Sequence, residues 1–222
     1  MIDQLIIGEK ASYDDFEANV KERKIGAPKK KSIKETVPFS NETYDFTAIN
    51  GEIYWEERTL EYIFEITANT PEELEEKKRL FTSWVMNVMN KELHDPFILD
   101  YHFIATFDSI DMDDSEIEKS TITVTFTAFP YMLANSKKVY KVDMVDYSVY
   151  TLNVVNDSSH RITPKVVADA PFMLLSDNGI MTFSAGEITD GVFVLAVGVN
   201  TFEFVKKDGN ATLTIEFREE VL

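Results

Sequence analysis

The side chains able to do acid–base or metal chemistry in these 222 residues are three histidines, His94, His102 and His160, and 39 aspartates and glutamates. A histidine metal site or a nucleophilic triad announces itself by an i,i+4 histidine pair, or by serine in a strand-turn-helix with an acid partner. None of the three histidines stands in either setting. Paired carboxylates such as Glu56/Glu57 and Asp113/Asp114 are of the type that general acid–base or glycosidic chemistry uses. Among 39 acids, however, such neighbours arise from composition alone. The densest acidic run, Asp108 to Glu118, invites a calcium reading, with Asp111 at position one, Asp113 at three and Ser115 at five. Position six is then Glu116, where the loop needs glycine, and position twelve is Ile122, where a bidentate glutamate belongs. The run reads as a solvated hairpin loop. Gly8, Gly26 and Gly51 are too far apart for a phosphate-binding loop. The absence of cysteine removes disulfides, thiolate zinc sites and cysteine nucleophiles together. The sequence carries no catalytic constellation, no metal site and no cofactor motif.

Binding chemistry is left. Lys21, Arg23, Lys24, Lys29, Lys30, Lys31 and Lys34 place seven of the 22 basic residues in a short stretch of a chain whose net charge is −17. Gly26 and Pro28 interrupt any helix there, so the stretch reads as a loop or extended arm. Lys29, Lys30, Lys31 and Lys34 are its candidate protein-interface residues, offering opposite charge to an acidic neighbour; the plainer reading is a solvated edge that discourages aggregation. No aromatics are interleaved for base stacking, and the acidic balance opposes phosphate binding.

The elements that must carry this arm are mostly strands. Asn50-Gly51 between two β-rich runs predicts a type I′ hairpin of Tyr44–Ile49 with Glu52–Arg58. In the next run Leu60, Tyr62, Phe64 and Ile66 share one face, which predicts a third strand of a meander. The period then changes to 3.6. Thr70-Pro71-Glu72-Glu73 is a capping box with proline at the first helical position. The helix it starts has Leu74, Phe81, Trp84, Val85, Val88 and Met89 on one face, supporting pairs Glu73/Lys77 and Glu75/Arg79, and an end near 90–94 before Asp95-Pro96. Phe97–Ile110 is strand-like, and Thr121–Phe129 alternates cleanly. At the amino end, Met1–Gly8 reads as a short strand and Ser12–Asp15 as a loop. Beyond Leu133–Lys138 no long helical period returns. Asn178-Gly179, Asp190-Gly191 and Asp208-Gly209 punctuate short runs at Phe172–Leu175, Ile180–Phe183, Val192–Val197, Thr201–Val205 and Ala211–Phe217, the pattern of a β-sandwich. The expected fold is mainly β: an α+β N-terminal domain with one long helix over 1–135, and a β-sandwich over 136–222. No apolar run approaches the ~20 residues of a membrane span, and the first ten residues lack a basic n-region, so neither a membrane anchor nor a signal peptide is expected.

KIGAPKKKSIKETVPFSNETYDFTAINGEIYWEERTLEYIFEI resembles the N-terminal region of the distal tail proteins of siphophages and related prophages. The likeness includes Val37-Pro38-Phe39, the Tyr44-Asp45-Phe46 strand and the Trp55 to Arg58 run. The second half, with the Asn153 to Asn156 stretch, Ile162 to Lys165, Leu195 to Phe202 and Leu213 to Arg218, is similar to the galectin-like sandwich of many such proteins. The resemblance implies a structural virion protein and no enzyme. It implies a homo-oligomer, a hexameric ring at the tip of a long non-contractile tail, made in the bacterial host cytoplasm. One face of that ring would meet the tail tube protein and the other a tail-associated lysin, fibre or receptor-binding protein, with DNA passing through but not specifically bound. A carbohydrate-binding module is the alternative, and it lacks an aromatic platform, because Trp55 and Trp84 both lie in the first half.

Overall fold

The computed structural model describes residues 3–222 apart from 37, 38, 40, 49, 50, 114–117, 146, 147, 177, 178, 189, 190, 192 and 207. Two compact units emerge, Met1–Leu133 with Leu222, and Ala134–Val221.

The first unit is built on a sheet. Its strands in chain order are β1 (Ile6–Ile7), β2 (Lys10–Ala11), β3 (Ala18–Ile25), β4 (Lys34–Thr36), β5 (Thr43–Asp45), β6 (Arg58–Thr67), β7 (Lys91–His94), β8 (Tyr101–Asp113), β9 (Lys119–Ala128) and β10 (Met132–Ala134), with the helix α1 (Pro71–Met86) between β6 and β7. The main path across the sheet runs β2-β1-β7-β8-β9-β6-β3. Alternation fixes which face is buried: Leu60, Tyr62, Phe64 and Ile66 of β6 are fully buried, and Leu60, Tyr62 and Phe64 lie opposite Phe126, Val124 and Ile122 of β9. A register slip of one residue would turn all of these to the other face. The amphipathic helix covers this face through Leu74, Phe81 and Val85, with the Phe81 ring 4.9 Å from that of Phe64. Each such apolar side chain contributes about 1.5–3 kcal/mol on burial.

The cap is formed as its residues require. The Thr70 side chain accepts from the Glu73 N–H, while the Glu73 carboxylate reaches past Thr70 to the Asn69 N–H at 3.1 Å. Lys77 pairs with Glu73, as the spacing predicts. The other pair shifts by one: Arg79 binds Glu76 and Lys78 binds Glu75, both at i,i+3, in place of Glu75/Arg79. The helix also ends earlier than 90–94. Asn87 caps it, Lys91–His94 is strand β7, and Met89 is 70 % exposed. Beyond Val88 the alternation of the sheet overrides the helical period.

The expected meander is corrected more deeply. Strand β6 is an interior strand between β3 and β9, and β5 pairs not with Glu52–Arg58 but with β4. The Gly51 N–H donates to the Ala48 carbonyl with φ of +75°, so the chain does turn at this glycine. Ile49 and Asn50 lie outside the described residues. The turn is an excursion within one strand of a longer hairpin, whose other strand is the lysine-bearing stretch. Lys21, Arg23 and Lys24 are not part of a loop at all but belong to β3. Gly26 marks where β3 leaves the sheet: a Cβ there would sit 2.9 Å from the Thr59 carbonyl, which the Gly26 N–H itself binds.

The second unit is a sandwich of β11 (Lys138–Met144), β12 (Ser148–Asn156), β13 (Lys165–Ala168), β14 (Phe172–Ser176), β15 (Gly179–Phe183), β16 (Gly186–Ile188), β17 (Gly198–Lys206) and β18 (Ala211–Phe217), followed by a short strand β19 (Glu220–Val221) that belongs to neither of its sheets. One sheet is ordered β11-β18-β13-β16 and the other β12-β17-β14-β15. A single core joins them, with Val142, Val166, Leu213 and Ile215 from the first and Val154, Phe172, Leu174 and Phe204 from the second. The run at Val192–Val197 forms no strand among its described residues. Leu195 bridges Ile162 in isolation, and Phe193 and Leu195 plug the core.

Candidate interaction surface

Lys29, Lys30, Lys31 and Lys34 lie on one limb of a two-stranded arm. The Glu56 N–H donates to the Lys29 carbonyl at 2.7 Å, Lys30 bridges Trp55, and the Lys31 N–H donates to the Tyr54 carbonyl at 2.8 Å. Farther out the Phe46 N–H binds the Ile33 carbonyl, and Lys34, Glu35 and Thr36 face Asp45, Tyr44 and Thr43. Thr47 stitches the two lengths together, accepting from the Ile33 N–H, while Asp45 accepts from the Thr47 N–H. These bonds to Thr47 hold the Asp45 carboxyl below its ordinary pKa, with lesser help from Lys34 and Lys30. All four lysines are exposed.

The pairing sorts the arm into faces. Cross-strand partners share a side, so Ile33, Glu35, Tyr44 and Phe46 lie on one face and Lys34, Thr36, Thr43 and Asp45 on the other. Ile33 and Tyr44 are 52 % and 57 % exposed, and the Tyr44 and Phe46 rings are 6.2 Å apart. Ile53 and Tyr54 are exposed as well. The aromatics are therefore brought beside the lysines by the fold, although they are not interleaved with them in sequence. The same arm carries Glu35, Glu42, Asp45, Glu52, Glu56 and Glu57, more acids than its lysines balance, so it opposes a phosphate backbone. An apolar face rimmed by both signs of charge is the composition of a protein-docking surface. Val37 and Pro38 lie outside the described residues.

Two of the scattered histidines are brought together, a contact hidden from linear spacing. His94 on β7 and His102 on β8 have ring centroids 5.0 Å apart, and their Nε2 atoms stand 3.6 and 3.7 Å from the Glu92 carboxylate. Among the described residues no group of three or more such side chains is arranged to hold a metal ion. His160 lies in the other unit, its Nε2 2.9 Å from Glu220 and its Nδ1 2.9 Å from the Arg161 carbonyl. Burial pushes the Glu220 carboxyl above its ordinary pKa. The acidic run is strand as far as Asp113; residues 114–117 lie outside the described residues. In the second unit every exposed large apolar side chain among the described residues is valine or isoleucine.

The chain matches no family model and no curated protein. Its structure is similar to that of the Dit protein of phage SPP1, described as a paradigm of the hub adsorption apparatus in phages infecting Gram-positive hosts. The TM-score is 0.69 at 11 % identity, over 98 % of this chain and 99 % of that one. A second similarity, at TM-score 0.43 and 9 % identity, is to a chain of the phage p2 baseplate in its activated conformation; it covers 98 % of each chain. The former shows that the mainly-β fold of this chain, both units included, is that of a Dit protein.

Proposed function

We propose that this chain is a distal tail protein, a structural hub subunit at the tip of a phage tail. The observation that carries the reading is the full-length agreement of fold with the SPP1 Dit protein. Agreement over both units is a more demanding match than agreement over either one alone. In this reading copies of the first unit close into a hexameric ring between the tail tube protein and a tail-associated fibre, lysin or receptor-binding protein, at the virion tail tip. The exposed arm supplies a contact for assembly through Tyr44, Phe46 and Ile33, with Lys29, Lys30, Lys31 and Lys34 meeting acidic groups on the neighbour. The role is structural, with no enzymatic step.

The test is co-assembly. Native mass measurement and negative-stain imaging of the chain with the adjoining tail proteins are expected to give six-fold rings. Exclusive monomers in that mixture at low salt, together with absence of the chain from purified tails, would overturn the reading. Reversing Lys29, Lys30 and Lys31 to glutamate is expected to leave the melting temperature nearly unchanged, because exposed charges contribute little to stability. Assembly should weaken in a salt-dependent way. Equal assembly of variant and wild type at low and high salt would reduce the lysines to a solvated edge.

A further inference from the structure

The last turns of α1 and the β1–β2 turn border a groove of about 650 Å³ that has no part in the arm. The helix lines it from Arg79 to Val88, a wall about 13 Å long at 1.5 Å per residue. Its floor is aromatic: Phe16 and Trp84 are stacked at 4.6 Å, and Leu80, 45 % exposed, lines the groove with them.

Strand register places two cations on its rim. Lys10 of β2 lies opposite Ile7 of β1, and Ile7 opposite Leu93 of β7, so the three share one side of the sheet. On that side Ile7 and Leu93 are buried in the core that the helix covers. Lys91, two residues before Leu93, points to the same side. Two strand spacings across and two residues along put the Lys10 and Lys91 Cα atoms about 12 Å apart. The Lys10 ammonium lies 5.3 Å over the Phe16 ring. Both lysines are exposed, and neither is in an ion pair, whereas Arg79 is engaged by Glu76. Glu9 is the only acid on the lining. The sheet edge beside the groove is closed to an added strand. The Ala11 N–H of β2 donates to the Asp15 carboxylate at 2.8 Å, and the Ala11 carbonyl accepts from the Asp15 N–H at 3.2 Å. Recognition therefore falls to side chains.

We infer that the groove between α1 and the β1–β2 turn receives an extended acidic segment of a partner protein, with carboxylates at positions i and i+4 and an aromatic or aliphatic side chain at i+2. The period of two puts these three side chains on one face and the outer two about 13 Å apart, which matches the spacing of the lysines. Each carboxylate meets one lysine, and the central side chain packs on Phe16 and Trp84. The charge of the whole chain favours such a segment over a nucleic acid. Exposed charges act within about 8 Å at physiological salt, so a short segment responds to the two lysines. A phosphate backbone continuing past the groove would run over a surface with 39 acids against 22 bases. This docking surface is separate from the arm and does not depend on the ring reading.

The test uses the full chain carrying Trp55→Phe, which leaves Trp84 as its one tryptophan, so that emission reports on the groove. The probes are the capped peptides SDSFSDS, SSDFDSS and SKSFSKS, and hexathymidylate. SDSFSDS is expected to give a saturable change in emission that weakens with salt. SSDFDSS has the same composition but turns its acids away from its aromatic face, and it is expected to bind at least tenfold more weakly. Lys10→Gln with Lys91→Gln is expected to weaken SDSFSDS by a similar factor. Lys10→Glu with Lys91→Glu is expected to reverse the preference and bind SKSFSKS, which also shows that the reversed groove is folded. No saturable change with SDSFSDS, equal binding of SSDFDSS, tighter binding of hexathymidylate, or unchanged binding by the glutamine variant overturns the inference. Self-association of the unaltered chain in sedimentation velocity that the glutamine variant abolishes also overturns it, because the occupant would then be a second copy. None of these outcomes decides the ring reading, whose test is co-assembly.

Discussion

Asp95 gathers three donors of the first unit around one buried carboxylate. Its carboxylate is fully buried, with Oδ1 accepting from the Arg23 guanidinium at 2.7 Å and from the Phe97 N–H at 2.9 Å, and Oδ2 accepting from the Tyr62 hydroxyl at 3.0 Å. Arg23 in turn lies 4.5 Å over the Phe97 ring. Burial first, and the Asp95 charge second, push the Tyr62 phenol well above its ordinary pKa, so it stays a neutral donor. Removing the acceptor leaves a guanidinium, a hydroxyl and an amide without it in a water-poor site. Asp95→Ala is therefore expected to cost about 3–5 kcal/mol, read by chemical denaturation, and Tyr62→Phe, which removes only one donor, about 1 kcal/mol. Equal stability of Asp95→Ala and wild type would show the cluster to be hydrated. In the sequence Asp95 was legible only as the residue before a proline, where a helix must stop. Its partners lie 72 and 33 residues away along the chain, and no local period encodes them.

At the scale of elements, what was legible depended on whether the signal was local. The Thr70 cap, the buried faces of β6 and β9 and the Ala211–Phe217 strand follow from side-chain period, and each stands where the period put it. Pairing does not follow from period. Asn50-Gly51 marks a reversal, but both flanking runs pair with successive lengths of Lys29–Thr36, and a run of lysines has no periodic signature of a strand. The helix supplies a graded test. Trp84 is only partly buried, stacked on Phe16 and edge-on to Phe81 at 5.7 Å. Trp84→Ala should cost roughly 2–4 kcal/mol, toward the lower part of the range for a buried aromatic. Met89→Ala, read from sequence as the same stripe, should stay within about 0.5 kcal/mol of wild type because Met89 is outside the core. Equal losses at the two positions would restore the longer helical face.

For the molecule as a whole, acid is the discriminating variable. Glu65 is held below its ordinary pKa by Lys21 and then Lys119, Glu73 by Lys77 and the Asn69 N–H, Asp157 by Lys138, and Glu216 by Lys137. A carboxyl whose folded pKa is depressed binds fewer protons folded than unfolded. Its stabilisation is complete above the unfolded value of about 4 to 4.5 and is lost as pH falls through the folded value. Glu220, raised by burial, acts in reverse: its contribution is complete below the unfolded value and is lost as pH rises through the folded one. Both units carry depressed carboxyls, so the melting temperature of each should fall between pH 5 and pH 3. Glu220→Gln should flatten the fall in stability as pH rises above the unfolded carboxyl value of about 4.5, in the second unit alone. Assigning a transition to a unit requires the units to be separable, and the 134–138 passage predicts that they are. Arg218 donates to the Ala134 and Asn135 carbonyls and Lys137 pairs with Glu216, so the passage is fastened to the sandwich of the second unit. Limited trypsin digestion is expected to release a stable fragment beginning near Val139, whose melting at pH 7 matches one of two transitions in the full chain. A single resistant core spanning residue 133, melting in one step at every pH, would show that the two units fold as one.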